Sequence, residues 1–221
     1  MIGNNEIIQY LENLIPTRSE VLIEMEAYAK EHNVPIMELI GIEMILQLLK
    51  LAKPKRILEI GTAIGYSAIR MAEALPDCEI VTIERDEVRY QKALTFIAKA
   101  QMENRITVIL GDALEIEGKL EKQAPFDVLF IDAAKGQYQR FFEKYSSYVK
   151  NGGTIISDNV LFKGYVANIE QVEKKRLKSL AKKLSTYNEW LMNLANYDTS
   201  IIPIGDGVAI SIKGEEGDTN E

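Results

Sequence analysis

Through the first 52 residues, apolar side chains recur every three or four positions; beyond them they gather into short, dense blocks. EIIQYLENLI, SEVLIEMEAYAKEH and PIMELIGIEMILQLLKLA each carry the stripe of an amphipathic helix. The break between the second and third falls at Asn33-Val34-Pro35. Pro35, with its fixed φ and missing N–H, suits a first helical turn.

From Lys55 the pattern alternates. RILEI, CEIVTIE, RITVIL, FDVLFID and GGTIISD are short apolar runs of strand length. Between them lie GTAIGYSAIRMAEAL, DEVRYQKALTFIAKAQ (opened by Asp86), the short helix DALEIEGKLEK, and KGQYQRFFEKYSSYVK. Strands that alternate with helices predict a mostly parallel sheet covered on both faces, with right-handed connections. Residues 166–193 read as a long polar helix or helical pair. DTSIIPI and VAISIK flank a Gly-Asp-Gly turn as an antiparallel hairpin, which brings the count to seven strands. The expected organisation is an N-terminal helical extension over 1–52, an α/β domain over 53–213, and a polar tail over 214–221.

Composition narrows the picture. Apolar residues make up 47% of the 221-residue chain, enough for a full core. No run is long enough to span a bilayer, and the N-terminus lacks a basic, cleavable leader, so a cytoplasmic protein without membrane contact is expected. The single cysteine, Cys78, cannot form an internal disulfide and reads as packing beside a strand. The net charge of −7 is opposite to that of a typical nucleic-acid binder. Yet Lys174, Lys175, Arg176, Lys178, Lys182 and Lys183 cluster late in the chain, as a solvated helix face or as a phosphate-facing patch.

The first candidate site is Glu59-Ile60-Gly61-Thr62-Ala63-Ile64-Gly65, which leaves the first strand and opens a helix. This is the cofactor crevice of a doubly wound sheet. A dinucleotide fingerprint needs glycine where Ala63 and Tyr66 stand, and a P-loop needs Gly-Lys-Ser/Thr. Neither fits. An acid-led loop of this spacing suits a cofactor with a cationic amino group and no phosphate. Glu84, ending the second strand, is placed to accept ribose hydroxyls, and Asp112-Ala113 follows the third strand where an adenine edge would lie.

A second constellation closes the next two strands. Asp132 ends FDVLFID, and Asp158-Asn159 ends GGTIISDN. Two carboxylates and an amide are hard oxygen donors that suit Mg²⁺, with Mn²⁺ as the alternative. For Asp158-Asn159 a plain turn after a strand is the competing reading. The lone histidine, His32, reads as a helix-end residue and not a zinc ligand. Lys135 opens a helix, where a cation is disfavoured by the helix dipole. A catalytic role or an ion pair with Asp132 would explain it.

EIGTAIGYSA, Glu84, GDA at 111–113, FIDAAKGQY, GGTIISDNVLFKG and PIGDGVAIS together resemble the caffeoyl-CoA and catechol O-methyltransferase family, from about Ile36 to the hairpin. The resemblance implies a Rossmann-like class I methyltransferase fold. It implies S-adenosylmethionine bound by Met37, Glu59, Gly61, Gly65, Ser67, Glu84, Asp112, Ala113 and Asp132. It also implies Mg²⁺ on Asp132, Asp158 and Asn159, with Lys135 and Asp132 in catalysis. Within the family the overall likeness runs towards bacterial enzymes that convert 5-hydroxyuridine to 5-methoxyuridine at the tRNA wobble position. That implies the anticodon loop as partner; a small catechol-type acceptor is the alternative. Ala134 stands where plant caffeoyl-CoA enzymes often carry a second acid. The apolar N-terminal helices point to a homodimer.

Overall fold

The computed structural model describes residues 5–116, 118 and 120–215, with the side chain of Asn5 left aside. Seven strands form a mixed sheet in the order β3-β2-β1-β4-β5-β7-β6. The α/β class and the seven strands expected from the apolar runs are therefore present. The chain divides after Ile116 into two compact units. The expected tail, from 216 onward, lies outside the described residues, as do two residues of the stretch 112–122.

The first unit holds helices α1 (Asn5–Leu14), α2 (Glu20–His32), α3 (Leu39–Ala52), α4 (Tyr66–Ala74) and α5 (Glu87–Lys99), with strands β1 (Arg56–Ile60), β2 (Glu79–Glu84) and β3 (Ile106–Leu110). The three strands are parallel, with Ile57 opposite Ile80 and Ile80 opposite Ile106. All but the first residue of β1 and of β2 is buried, the mark of parallel strands covered on both faces. Asp86 caps α5 as expected, its carboxylate accepting from the Arg89 amide at 2.9 Å. Asn33 ends α2 in the left-handed conformation at φ 53°, and His32 is that helix's last residue, stacked on Tyr28. A polar network ties α2 and α3 to α4. Glu26 accepts from Arg18 at 2.6 Å and from the Tyr66 hydroxyl at 2.7 Å, and Arg70 pairs with Glu43.

Two expectations here are corrected. Helix α3 begins at Leu39, not at Pro35, because residues 34–38 run non-helically to fold Met37 into the core. Met37 Cε lies 3.6 Å from where a Cβ on Gly41 would be, in the first turn of α3. The expected helix from Asp112 is instead one turn. The Asp112 carboxylate caps that turn by accepting from the Leu114 amide at 2.8 Å, and Gly118 beyond it has a left-handed φ of 69°, a conformation that stops a helix.

The second unit holds β4 (Phe126–Ile131), α6 (Tyr138–Tyr145), β5 (Val149–Ser157), α7 (Lys175–Met192), β6 (Tyr197–Ile202) and β7 (Val208–Lys213). Strands β4 and β5 are parallel, while β7 runs antiparallel to both β5 and β6. A 3-10 turn over Lys135–Gln137 leads into α6. The polar stretch after β5 is two 3-10 segments followed by the 18-residue α7. No helix among the described residues is long and apolar enough to cross a membrane.

Candidate active site

In the first unit, the loop after β1 turns by way of Gly61 at φ 106°, Ala63 at φ 48° and Gly65 at φ 88°. Such angles are costly for residues with a Cβ, which accounts for the glycines. Glu84 holds the loop from the end of β2. One carboxylate oxygen accepts from the Ala63 amide and the other from the Asp86 amide, each at 2.8 Å. A carboxylate has about four lone-pair sites, so two remain for further donors such as ribose hydroxyls.

Glu59 is deeper, with no exposed surface. It accepts from the Ser67 hydroxyl and, at 2.5 Å, from Thr82 Oγ1. Thr82 thereby spends its one proton, so in its 2.7 Å bond to Thr62 it must accept. The chain of hydroxyls has one direction, and Glu59 orients Ser67 and Thr82. Ser67 is 6% exposed, so it stands between Glu59 and solvent. Asp112 is partly exposed beside Arg85 at 3.8 Å, and Ala113 is buried next to it.

The second unit holds the other cluster. Asp132 follows β4, and Asp158-Asn159 follows β5, anchored where the Asp158 amide donates to the Ile131 carbonyl at 3.0 Å. Asn159 adopts a left-handed φ of 58°, a conformation asparagine tolerates better than most residues. Its amide nitrogens clamp its neighbour: the backbone N–H donates to Asp158 Oδ1 at 2.7 Å and Nδ2 to Oδ2 at 2.6 Å. Its Oδ1 accepts from the Lys135 ammonium. Burial pushes the Asp158 carboxyl up to about 8, the charge of Asp132 adding to the effect while the Asn159 amide and Lys135 oppose it. Burial also raises Asp132, against Lys135. Two acids that resist each other's ionisation are relieved by a cation held between them. In this structure the nearest cation is Lys135, on the amide oxygen of the same set. The residues thus fit a hard divalent ion. Among the described residues no group of three His, Cys, Asp or Glu side chains offers another metal site.

The model of the O-methyltransferase family matches residues 13–214. The caffeoyl-CoA O-methyltransferase of Populus kitakamiensis is 34% identical over 213 residues, covering 91% of this chain and 89% of its own length. A crystal structure from Staphylococcus aureus, provisionally described as a caffeoyl-CoA O-methyltransferase, is 39% identical with a TM-score of 0.88, over 94% of this chain and 99% of that one. The Bacillus cereus O-methyltransferase, solved in complex with SAH, is 25% identical with a TM-score of 0.80, over 94% and 97%. The chain belongs to the O-methyltransferase family. Among its solved neighbours, the Bacillus cereus enzyme holds SAH and the Streptomyces achromogenes enzyme TomG holds SAM.

For an O-methyltransferase, two features of the second unit were not legible in advance. The connection between β6 and β7 does more than turn. The Gly207 and Asp206 carbonyls accept from the amides of Val160 and Leu161, each at 2.9 Å, and the Asp206 carboxylate accepts from the Lys163 amide. A Cβ on Gly207 would fall 2.2 Å from Leu161, so only glycine permits this grip. Helix α7 takes hold on either side of Asp158-Asn159. Tyr187 bonds Ser157 at 2.7 Å, and Asn188 Nδ2 donates to the Val160 carbonyl at 3.0 Å. The acidic dipeptide is thereby held at both ends.

The late basic cluster divides in the structure. Lys178 pairs with Glu170 at 2.7 Å. Lys182 and Lys183 join Lys135, Arg140, Tyr138 and Tyr187 in lining a cavity of about 540 Å³. Lys183 Nζ lies 3.7 Å from where a Cβ on Gly136 would be, so the α7 cations reach the turn that carries Lys135. Lys174, Lys175 and Arg176 do not line it and are exposed at the start of α7.

Proposed function

We propose that this protein methylates one oxygen of a vicinal oxygen pair, using S-adenosylmethionine as donor and a divalent cation, Mg²⁺ or Mn²⁺, on Asp132, Asp158 and Asn159. The observation that carries this reading is the coupling of half-buried Asp132 with buried Asp158, beside the Lys135–Asn159 bond. When bound, the cation lowers the acceptor hydroxyl's pKa and fixes its position. The residues supply the rest. Gly61, Gly65, Ser67, Glu84, Asp112 and Ala113, with Met37 and with Glu59 behind Ser67, hold the donor. Asp132 and Asp158 supply charge, and Asn159 keeps Asp158 oriented. Lys135, in its neutral amine form, would take the acceptor's proton. Displacement at a sulfonium methyl is in-line, so alignment of the acceptor oxygen carries much of the rate.

A small catechol-type acceptor is the reading that the caffeoyl-CoA relatives support. A second reading, 5-hydroxyuridine in the tRNA anticodon loop, has one observation in its favour: the cavity beside Lys135 is lined by four cations and one acid, Glu143. The uracil O4 and 5-hydroxyl form the vicinal pair that such a site needs. Mass spectrometry of tRNA nucleosides from a strain lacking the protein, beside turnover of catechols and caffeoyl-CoA by the purified enzyme, decides between them. Exposed Ile7, Tyr10, Leu11 and Leu14 on α1 support pairing of two copies, which sedimentation would test.

A further inference from the structure

Tyr138 is 1% exposed, and its hydroxyl has no hydrogen-bond partner among the described residues. A buried hydroxyl left unpaired costs about 1–3 kcal/mol, so its persistence asks for a role. Its surroundings narrow that role. Burial and the charges of Asp132, Asp158, Tyr187 and Asp206 hold the phenol well above its ordinary pKa, so it keeps its proton and offers a donor. Tyr138 opens α6 directly after the 3-10 turn that Lys135 begins, both residues line the same cavity, and Lys135 reaches Asn159. Its ring packs edge-on against Tyr187, 5.7 Å between centroids, and Tyr187 in turn holds Ser157 next to Asp158. The ring that packs on Tyr138 thus also holds the strand end that carries Asp158.

We infer that Tyr138 is a positioning residue of the cation site, its hydroxyl donating towards the Asp132–Asp158 carboxylates, directly or through one water, when the cation is bound. This rests on the divalent-cation reading above. Partners of this kind, which orient the groups that ligate a metal, contribute about 10–100-fold to metal affinity. A phenol serving only as core packing would contribute nothing there.

The test is Tyr138→Phe, which keeps the ring and removes the donor. Calorimetric titration with Mn²⁺ should show affinity lowered about tenfold or more. S-adenosylmethionine affinity should be unchanged, and the melting temperature in EDTA should not fall, since no hydrogen bond is lost in the metal-free protein. Equal Mn²⁺ affinity in the two proteins overturns the inference while leaving the cation site standing. If the unaltered protein binds S-adenosylmethionine but no Mn²⁺, the cation reading falls and Tyr138 falls with it. A second measurement needs no variant. On adding Mg²⁺ to the unaltered protein, proton NMR should show the Tyr138 hydroxyl proton become slow to exchange; an unresponsive hydroxyl overturns the inference equally.

Discussion

The Lys135 ammonium donates a hydrogen bond to Asn159 Oδ1, joining the turn after β4 to the turn after β5 across 24 positions of sequence. Through Asn159 the bond reaches Asp158, since the same side chain donates to that carboxylate. Lys135→Met should lower kcat by about 10²–10⁴-fold if Lys135 takes the acceptor's proton. Calorimetry should find cofactor affinity nearly unchanged. A variant with normal turnover would reduce Lys135 to a structural cation.

Asn159→Ala removes an amide oxygen and the one clamp that the side chain makes, while the backbone clamp on Asp158 stays. Mn²⁺ affinity should drop about 10–100-fold. Asn159→Asp, which restores a hard oxygen, should recover part of that affinity. Equal loss in both variants would argue that only the Nδ2 bond to Asp158 matters.

These residues also mark how far sequence reaches. Asp132, Asp158 and Asn159 were legible because apolar strand runs end on them, and strand ends are where such folds place their chemistry. Asp86 was legible as a cap because capping is local. Pro35 misled: its suitability for a helical turn says nothing about the need to bury Met37, which is a tertiary demand. Asp112 caps a turn, but the turn does not propagate, and Gly118 is left-handed a few residues on. In the sequence Gly207 belongs to a turn, and nothing singles out Tyr138. Their roles depend on Leu161 and on the acidic cluster, partners distant in sequence that no periodicity brings together.

The raised Asp158 carboxyl gives a pH signature. Its folded value of about 8 lies above the ordinary aspartate value of 3.8, so between these limits the folded metal-free protein holds a proton that the unfolded chain has released. Stability in EDTA should therefore fall as pH rises from about 4 to about 8, then level off. Cation binding favours the ionised form, so Mg²⁺ affinity should climb through that window with proton release. Titrations in buffers of different ionisation enthalpy measure the release. Asp158→Asn should flatten the stability slope. A metal affinity independent of pH from 6 to 8 would contradict the coupling.

The two loop-holding acids of the first unit should behave differently. Glu84→Ala frees the Ala63 and Asp86 amides and removes acceptors for the donor's ribose. Cofactor affinity should weaken by about 1–3 kcal/mol, read by calorimetry. Glu59→Gln keeps the shape but offers only one accepting oxygen to two hydroxyl donors. It should cost about 1–3 kcal/mol of stability through a stranded buried hydroxyl, measured by denaturant unfolding. If Glu59→Gln left stability intact, the directed hydroxyl chain through Thr82 would not be what holds the loop.

The substrate question turns on which lysines matter. Exposed Lys174, Lys175 and Arg176 stand away from the cavity, and Lys178 is paired with Glu170. Lys182, Lys183 and Arg140 line it beside Lys135. If the acceptor is a tRNA, binding should weaken steeply with salt, with a slope set by the phosphates contacted. Reversing Lys182 and Lys183 to glutamate should then lower tRNA affinity and flatten that slope, while the same change at Lys174 and Lys175 does less. Methylation of a free catechol, which has no phosphate, should be insensitive to either pair. A coenzyme A ester would be affected too, through its phosphates, but shows no dependence on the length of an RNA. Salt titrations of binding with an anticodon stem-loop and with caffeoyl-CoA separate the cases. If neither ligand responds to reversal at Lys182 and Lys183, the cations beside Lys135 serve the helix alone, and the small catechol is the acceptor to pursue.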